Sequence, residues 1–322
     1  MNPFRIFATL ACAAALNCAV AASGFAGEPV TLNVATSDIY GVANTFALDG
    51  DDKADGVTFA LSRFTGGVPA MLAALKAGQI DVAEVGASGP VIAQAAGTEF
   101  KVIAVTQPWP HGEAIIVAGN SPIKSVEDLK GKKVAYPRAT NAQWLVIHAL
   151  QSKGLTLKEI DSTFLPAGTN LLAALKAGVI DATAYIDVPL ASYEAQGARR
   201  IVDHGDLGFP IALQFIASDA AIKDKKEAVA AYVRQLAKHL AWAHAHPEPR
   251  AEALAKIWHL DPAVSLIAEK RRPAGLRPID DAIIAGNQDI ADAFFAEGVI
   301  PKKLNVASVF TKEFNVDATP QN

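Results

Sequence analysis

Four short junctions in this chain concentrate residues that can hold an anion by hydrogen bonds alone. They are TSD at Thr36–Asp38, TGG at Thr65–Gly67, ASG at Ala87–Gly89 and ATN at Ala139–Asn141. Hydroxyls of Ser and Thr donate, and glycine lets backbone N–H groups approach a ligand closely. Where such a junction opens a helix, the first N–H groups have no partner inside the helix. An ordinary helix cap uses the same residue types, so one junction alone decides nothing. Four of them point to a binding site, with Ser37, Asp38, Thr65, Gly66, Gly67, Ser88, Gly89, Thr140 and Asn141 as its candidates. Arg138, just before ATN, could grip an anionic head in a bidentate fork, or be a solvated loop residue. Asp187 could receive an ammonium group, or cap the next turn. Both acting together would suit a small zwitterion such as an aminosulfonate. Arg63, beside the TGG turn, is a weaker candidate, because it ends a strand and could pair across a sheet.

Catalytic chemistry finds less support. Ser88 lies in Gly-Ala-Ser-Gly-Pro, where a nucleophile elbow needs Gly-x-Ser-x-Gly and Pro90 takes the place of the last glycine. His239, His244 and His246 are spaced by five and two residues, not as i, i+4 metal ligands, and are expected to face solvent near a helix end. No P-loop, dinucleotide fingerprint or His-Glu-x-x-His occurs. The expected sets of catalytic residues, metal ligands and cofactors are therefore empty. A formal charge of −4 gives no global case for nucleic acid or an anionic membrane.

These junctions need a scaffold, and the hydrophobic pattern supplies it. Apolar runs at Val30–Thr36, Val57–Phe64, Ile80–Gly86 and Phe100–Gln107 read as strands alternating with helices. The same alternation returns from Gly131 to Asp203, and long amphipathic helices follow at 225–247 and 279–298. That rhythm predicts mostly parallel α/β sheets. LAALKAGQIDVA (72–83) and LAALKAGVIDAT (172–183) agree at nine of twelve positions, 100 residues apart. Two distant copies predict one βαβ unit in each of two related lobes, not a solenoid.

The N-terminus carries Arg5 and then 22 uncharged residues, with GFA at Gly24–Ala26 just before the last of them. Its alanine-rich character predicts a secretory signal peptide over 1–26, cleaved near Ala26, and not a membrane anchor. Both cysteines, Cys12 and Cys18, fall inside it, so the mature chain would carry no disulfide and no thiolate. At 51% apolar and 19% charged residues, the chain as a whole reads as soluble and globular, large enough for two cores.

GGVPAMLAALKAGQIDVAEVGASGP, SPIKSVEDLKGKKVAYPRATNAQWLVIHAL and NQDIADAFFAEGVIPKKLNV resemble, in order, the periplasmic substrate-binding proteins of ABC importers for sulfonates, taurine and nitrate. The resemblance spans the whole mature chain. It implies the two-lobed type II periplasmic binding protein fold, each lobe a mostly parallel sheet flanked by helices, with two hinge crossings. Lobe 1 is expected over 27–109 with 213–322, and lobe 2 over 110–212. Trp109 and His111 would then lie at the hinge, where an aromatic wall can face the ligand. The implied function is capture of a small anionic or zwitterionic ligand in the periplasm for an ABC permease of the inner membrane. Aliphatic sulfonate or taurine is favoured, with nitrate or a thiamine precursor as further ligands, and a monomer is expected.

The chain departs from the family pattern in three places. It has Gly86-Ala87-Ser88-Gly89-Pro90 where Gly-Asp-Thr-Pro-Pro is common, and Ile186-Asp187-Val188-Pro189 where Trp-Asp-Pro is common. Its first helix also has little room between strands one and two. Cysteine-dependent desulfinases and thiamine-pyrimidine synthases share the fold, and a mature chain without cysteine stands against both. A sensory module reporting to a membrane receptor would need the same clamp.

Overall fold

The computed structural model describes residues 30–37, 41–48, 50, 52–65, 67–165, 169–209 and 211–316. The signal segment with its cleavage point, both cysteines, Asp38 and Gly66 lie outside the described residues. The first half of the chain forms β1 (Val30–Ser37), β2 (Lys53–Ala54), β3 (Val57–Phe64), α1 (Gly67–Lys76), β4 (Val82–Gly86), α2 (Ser88–Ala95) and β5 (Phe100–Thr106). Next come β6 (Glu113–Val117), β7 (Lys133–Ala135), α3 (Asn141–Gln151), β8 (Asp161–Thr163), α4 (Leu171–Lys176), β9 (Ala182–Ile186), α5 (Pro189–Ala195) and β10 (Arg199–Asp203). The chain then continues through β11 (Leu213–Ser218), α6 (Asp219–Asp224), α7 (Lys226–Ala245), α8 (Pro247–Trp258), α9 (Pro262–Lys270), β12 (Leu276–Arg277) and α10 (Asp281–Ala296). Among the described residues between β1 and β2, the short stretch read from the sequence forms a 3-10 turn, Ala43–Leu48, and no α-helix.

Two sheets result, one ordered β12-β5-β11-β4-β1-β3-β2 and the other β10-β6-β9-β7-β8. Without its edge strands β12 and β2, the first order maps strand for strand onto the second. In each, four strands share a direction and one opposes them: β11 between β4 and β5, and β6 between β9 and β10. The opposed strand is the one that arrives from the other sheet. It has no crossover helix to bring it back parallel. The chain thus passes between sheets twice, after β5 and after β10.

The repeated phrase has one structural job in both lobes. Gly78 and Gly178 end α1 and α4 with φ of 70° and 68°, a left-handed conformation that favours glycine. Their N–H groups donate to Leu75 O and Leu175 O at 3.0 and 3.1 Å. The Asp of each copy then reaches the neighbouring parallel strand. Asp81 accepts from Asn33 N–H at 2.7 Å, and Asp181 from Lys133 N–H at 2.8 Å. The repeat fixes the helix–turn–strand joint and the register of β4 on β1 and of β9 on β7.

Leu32, Val34 and Phe59 pack on one face of the first sheet with Phe46 and with Tyr232 and Leu236 of α7. Val85, Val102 and Val105 meet Met71, Leu72 and Leu75 of α1 on the other. The second sheet is covered likewise by α3 and α4. Two further clusters join the lobes: Ala87 and Val91 with Trp144, Ile147 and Phe294, and Val188 and Ala191 with Ala268. Among the described residues no helix is long and apolar enough to cross a membrane, and no cluster of potential metal ligands occurs.

One expectation fails. His239 does not face solvent. It is fully buried on the inner side of α7, its ring 4.7 Å from that of Phe46 and its Nε2 2.8 Å from Thr45 Oγ1. The apolar stripe Tyr232–Leu236–Leu240 rotates position 239 inward with it. His244 and His246 are exposed.

Candidate functional site

The carboxyl end of β4 meets the amino end of α3 across the two lobes. α2 opens at Ser88 with no side-chain cap of its own, because Ala87 occupies the cap position. The missing acceptor comes from the other lobe: Ser88 N–H donates to Asn141 Oδ1 at 2.8 Å in a buried setting. Gly86 makes room for this contact, since a Cβ there would lie 2.7 Å from Asn141 Cγ. Gly89 is needed for packing inside its own lobe, where a Cβ would meet Val85. Thr140 caps α3 in the usual way, accepting from Gln143 N–H at 3.5 Å while its hydroxyl donates to Pro137 O at 2.8 Å. Two helix amino ends therefore converge on one buried polar junction, a geometry that concentrates donors.

Ser37 ends β1 as a buried residue whose carbonyl accepts from Gly41 N–H at 3.0 Å and from Asn44 Nδ2 at 2.8 Å. Thr65 is exposed, and Gly67, with φ of 66°, begins α1. Arg138 is exposed and lies 3.7 Å over the Phe164 ring. Trp109 is fully buried at the first crossing; its N–H donates to Ile211 O of the second crossing, and its indole packs on Gly112. His111 keeps an exposed ring whose Nδ1 lies 2.8 Å from Asp203 Oδ2.

Asp187 is buried and already served. Its carboxylate accepts from Ala191 N–H at 3.0 Å, capping α5, and from Arg271 Nη1 at 3.2 Å. Burial outweighs Arg271 and pushes its pKa up to about 6. Of the two roles open to it in the sequence, the cap is the one this geometry displays.

A buried charged network is absent from the candidates drawn from the sequence. Glu84, in the middle of β4, is completely buried. Both its oxygens accept from Val42 N–H, at 2.9 and 2.8 Å, and Oε2 accepts from Thr36 Oγ1 at 3.0 Å. Desolvation wins over these donors and raises its pKa to about 7. Buried Glu269 is shared by Arg250 and by Arg272, whose Nε donates at 2.7 Å. Arg250 Nε in turn donates to Thr45 Oγ1 at 3.0 Å. Burial draws Arg272 down to about 10 and Arg250 below its ordinary range. A shallow pocket lined by Val42, Leu240, His244, Arg250, Arg272 and Pro273 opens beside them. The available signal was Glu84 itself, a lone charge inside the apolar run Val-Ala-Glu-Val-Gly.

Comparison with known proteins gives a consistent result. Residues 64–250 match the profile of a family described as NMT1/THI5 like. The chain is 31% identical over 240 residues to a candidate aliphatic sulfonates-binding protein of Escherichia coli strain K12, covering 74% of this chain and 75% of that protein. The alkanesulfonate-binding protein SsuA from Xanthomonas axonopodis pv. citri, solved bound to MOPS, superposes with a TM-score of 0.80 at 26% identity over 88% of this chain and 99% of that one. The periplasmic aliphatic sulphonate binding protein SsuA from Escherichia coli superposes with a TM-score of 0.78 at 28% identity over 87% and 97%.

Proposed function

This chain belongs to the NMT1/THI5-like family, and from that membership we propose that it is the solute-binding component of an ABC importer, taking aliphatic sulfonates in the periplasm. The observation that carries the reading is the junction at Gly86–Ser88 and Thr140–Asn141. There two helix amino ends from different lobes meet at the carboxyl ends of β4 and β7, where ligands sit in open α/β sheets. A sulfonate presents three oxygens and no proton, which matches a site made of N–H and hydroxyl donors.

In this reading, lobe 1 comprises 27–109 with 213–322 and lobe 2 comprises 110–212. Ser37, Ser88, Gly89, Thr140 and Asn141 contact the ligand head. Thr65, Gly67, His111 and Arg138 shape the rim, with Trp109 buried behind it as part of the crossing. Asp187, held by Arg271, is unavailable to an ammonium group, which favours a simple alkanesulfonate over taurine. Binding draws the lobes together as a shift between open and closed populations, without turnover. The partner is a permease of the inner membrane, and the protein acts as a monomer released from its signal peptide.

The test is a thermal-shift screen of ethane- and butanesulfonate, taurine, nitrate and a thiamine precursor, since a ligand of the folded state raises the melting temperature. Stabilisation by the alkanesulfonates supports the reading. Stabilisation by none of the anions, or turnover of a sulfonate or sulfinate, sinks it.

A further inference from the structure

Arg271 and Arg272 are adjacent in sequence and face opposite lobes. Arg271 reaches the five-stranded lobe. Its Nη1 lies 3.2 and 3.4 Å from the two oxygens of Asp187, and its Nη2 is 2.6 Å from Glu194 Oε2. The other oxygen of Glu194 accepts from Arg200 Nε at 3.0 Å. Arg200 Nη1 then donates to Asp203 Oδ2 at 2.7 Å and to His111 O at 3.2 Å. Arg272 turns the other way, onto Glu269 in the seven-stranded lobe, with its guanidinium 5.4 Å from the centre of the Trp109 ring. Both paths end on the first crossing, at Trp109 and His111. Apolar packing runs alongside, with α9 set against α5 through Val188, Ala191 and Ala268.

The two chain crossings are covalent links between lobes, and we propose that the Arg271–Arg272 turn is a non-covalent one, separate from the Ser88–Asn141 contact. In it Arg271 is a positioning residue. It touches no ligand, but its grip on Asp187 and Glu194 holds the β9–α5 joint against the opposite lobe and so sets how long a bound sulfonate stays. This rests on the solute-binding reading. Arg271 is partly exposed, so water can reach the ion pair and the link can open. Arg272 is buried and stays with its own lobe. Opening the clamp therefore breaks the Arg271 contacts and leaves those of Arg272.

The experiment compares wild type with Arg271→Met, Arg271→Lys and Glu194→Gln. The control is Lys312→Met, which removes an exposed ion pair to Asp281 away from the turn. Stopped-flow dissociation and association of butanesulfonate are measured, and small-angle scattering is recorded without ligand. Arg271→Met should raise the dissociation rate about tenfold while changing association by less than about threefold. Arg271→Lys and Glu194→Gln should fall between it and wild type. The ligand-free Arg271→Met protein should have a larger radius of gyration, and Lys312→Met should match wild type in both measurements. An unchanged dissociation rate and radius in all three variants would overturn the link, as would an effect confined to association. If wild type fails to bind butanesulfonate, the function reading falls, and scattering still decides whether Arg271 holds the lobes.

Discussion

Replacing Glu84 by Gln should make the protein more stable at alkaline pH and leave it unchanged in acid. Glu84 is buried in β4, and its pKa stands at about 7 against an ordinary 4.5. Below pH 4.5 the carboxyl is protonated in the folded and unfolded chains alike, and it costs nothing. Between 4.5 and 7 the unfolded chain releases its proton while the folded one keeps it, so stability falls as pH rises. Above 7 the loss is complete. At 1.36 kcal/mol per unit, the gap corresponds to about 3 kcal/mol. Glutamine keeps an oxygen to accept from Val42 N–H and has no proton to lose, so the slope disappears. Urea unfolding of both proteins, followed by tryptophan fluorescence from pH 4.5 to 8, gives the difference curve directly. It should start near zero and rise to about 3 kcal/mol in favour of the variant, or roughly 5 °C in melting temperature. A flat difference curve, or a variant less stable at pH 8 than wild type, would refute the assignment of a carboxyl whose desolvation outweighs its donors Val42 and Thr36 and the nearby Arg250 and Arg272.

Further outcomes follow from other contacts. Gly86→Ala places a Cβ 2.7 Å from Asn141 Cγ; it should cost about 1–3 kcal/mol and weaken sulfonate binding, read by urea unfolding and calorimetry. Asp181→Ala should cost about 1 kcal/mol, since it removes one strand contact, and Asp81→Ala more, because Asp81 also holds Lys225 at 2.8 Å. Arg250→Met should cost about 3–5 kcal/mol by depriving buried Glu269 of one of its two arginines, with unfolding curves as the check.

The scaffold was legible because its signals are local. Alternating apolar runs marked the strands, the terminal glycines of α1 and α4 marked the helix stops, and the doubled LAALKAG-x-ID marked two equivalent joints. The two opposed strands were not legible. β6 and β11 have the same apolar character as their neighbours, and only the path between the lobes sets their direction. At the site, the sequence pointed to junctions that the fold does bring together at Ser88 and Asn141. It gave no sign that Asn141 would cap a helix of the other lobe, because that contact joins residues 53 apart. The buried network of Glu84, Glu269, Arg250 and Arg272 was hidden for the same reason. Its members come from β4, α8 and the end of α9, and charge is visible in a sequence while burial is a property of the fold. His239 shows the converse, a histidine read as exposed that the apolar stripe of α7 turns inward.

Isothermal titration of the mature chain with butanesulfonate, set against butylammonium of equal length, tests the central claim most directly. One saturable site for the sulfonate and no heat from the ammonium is the predicted result. Binding of the ammonium alone, or of neither, would contradict it.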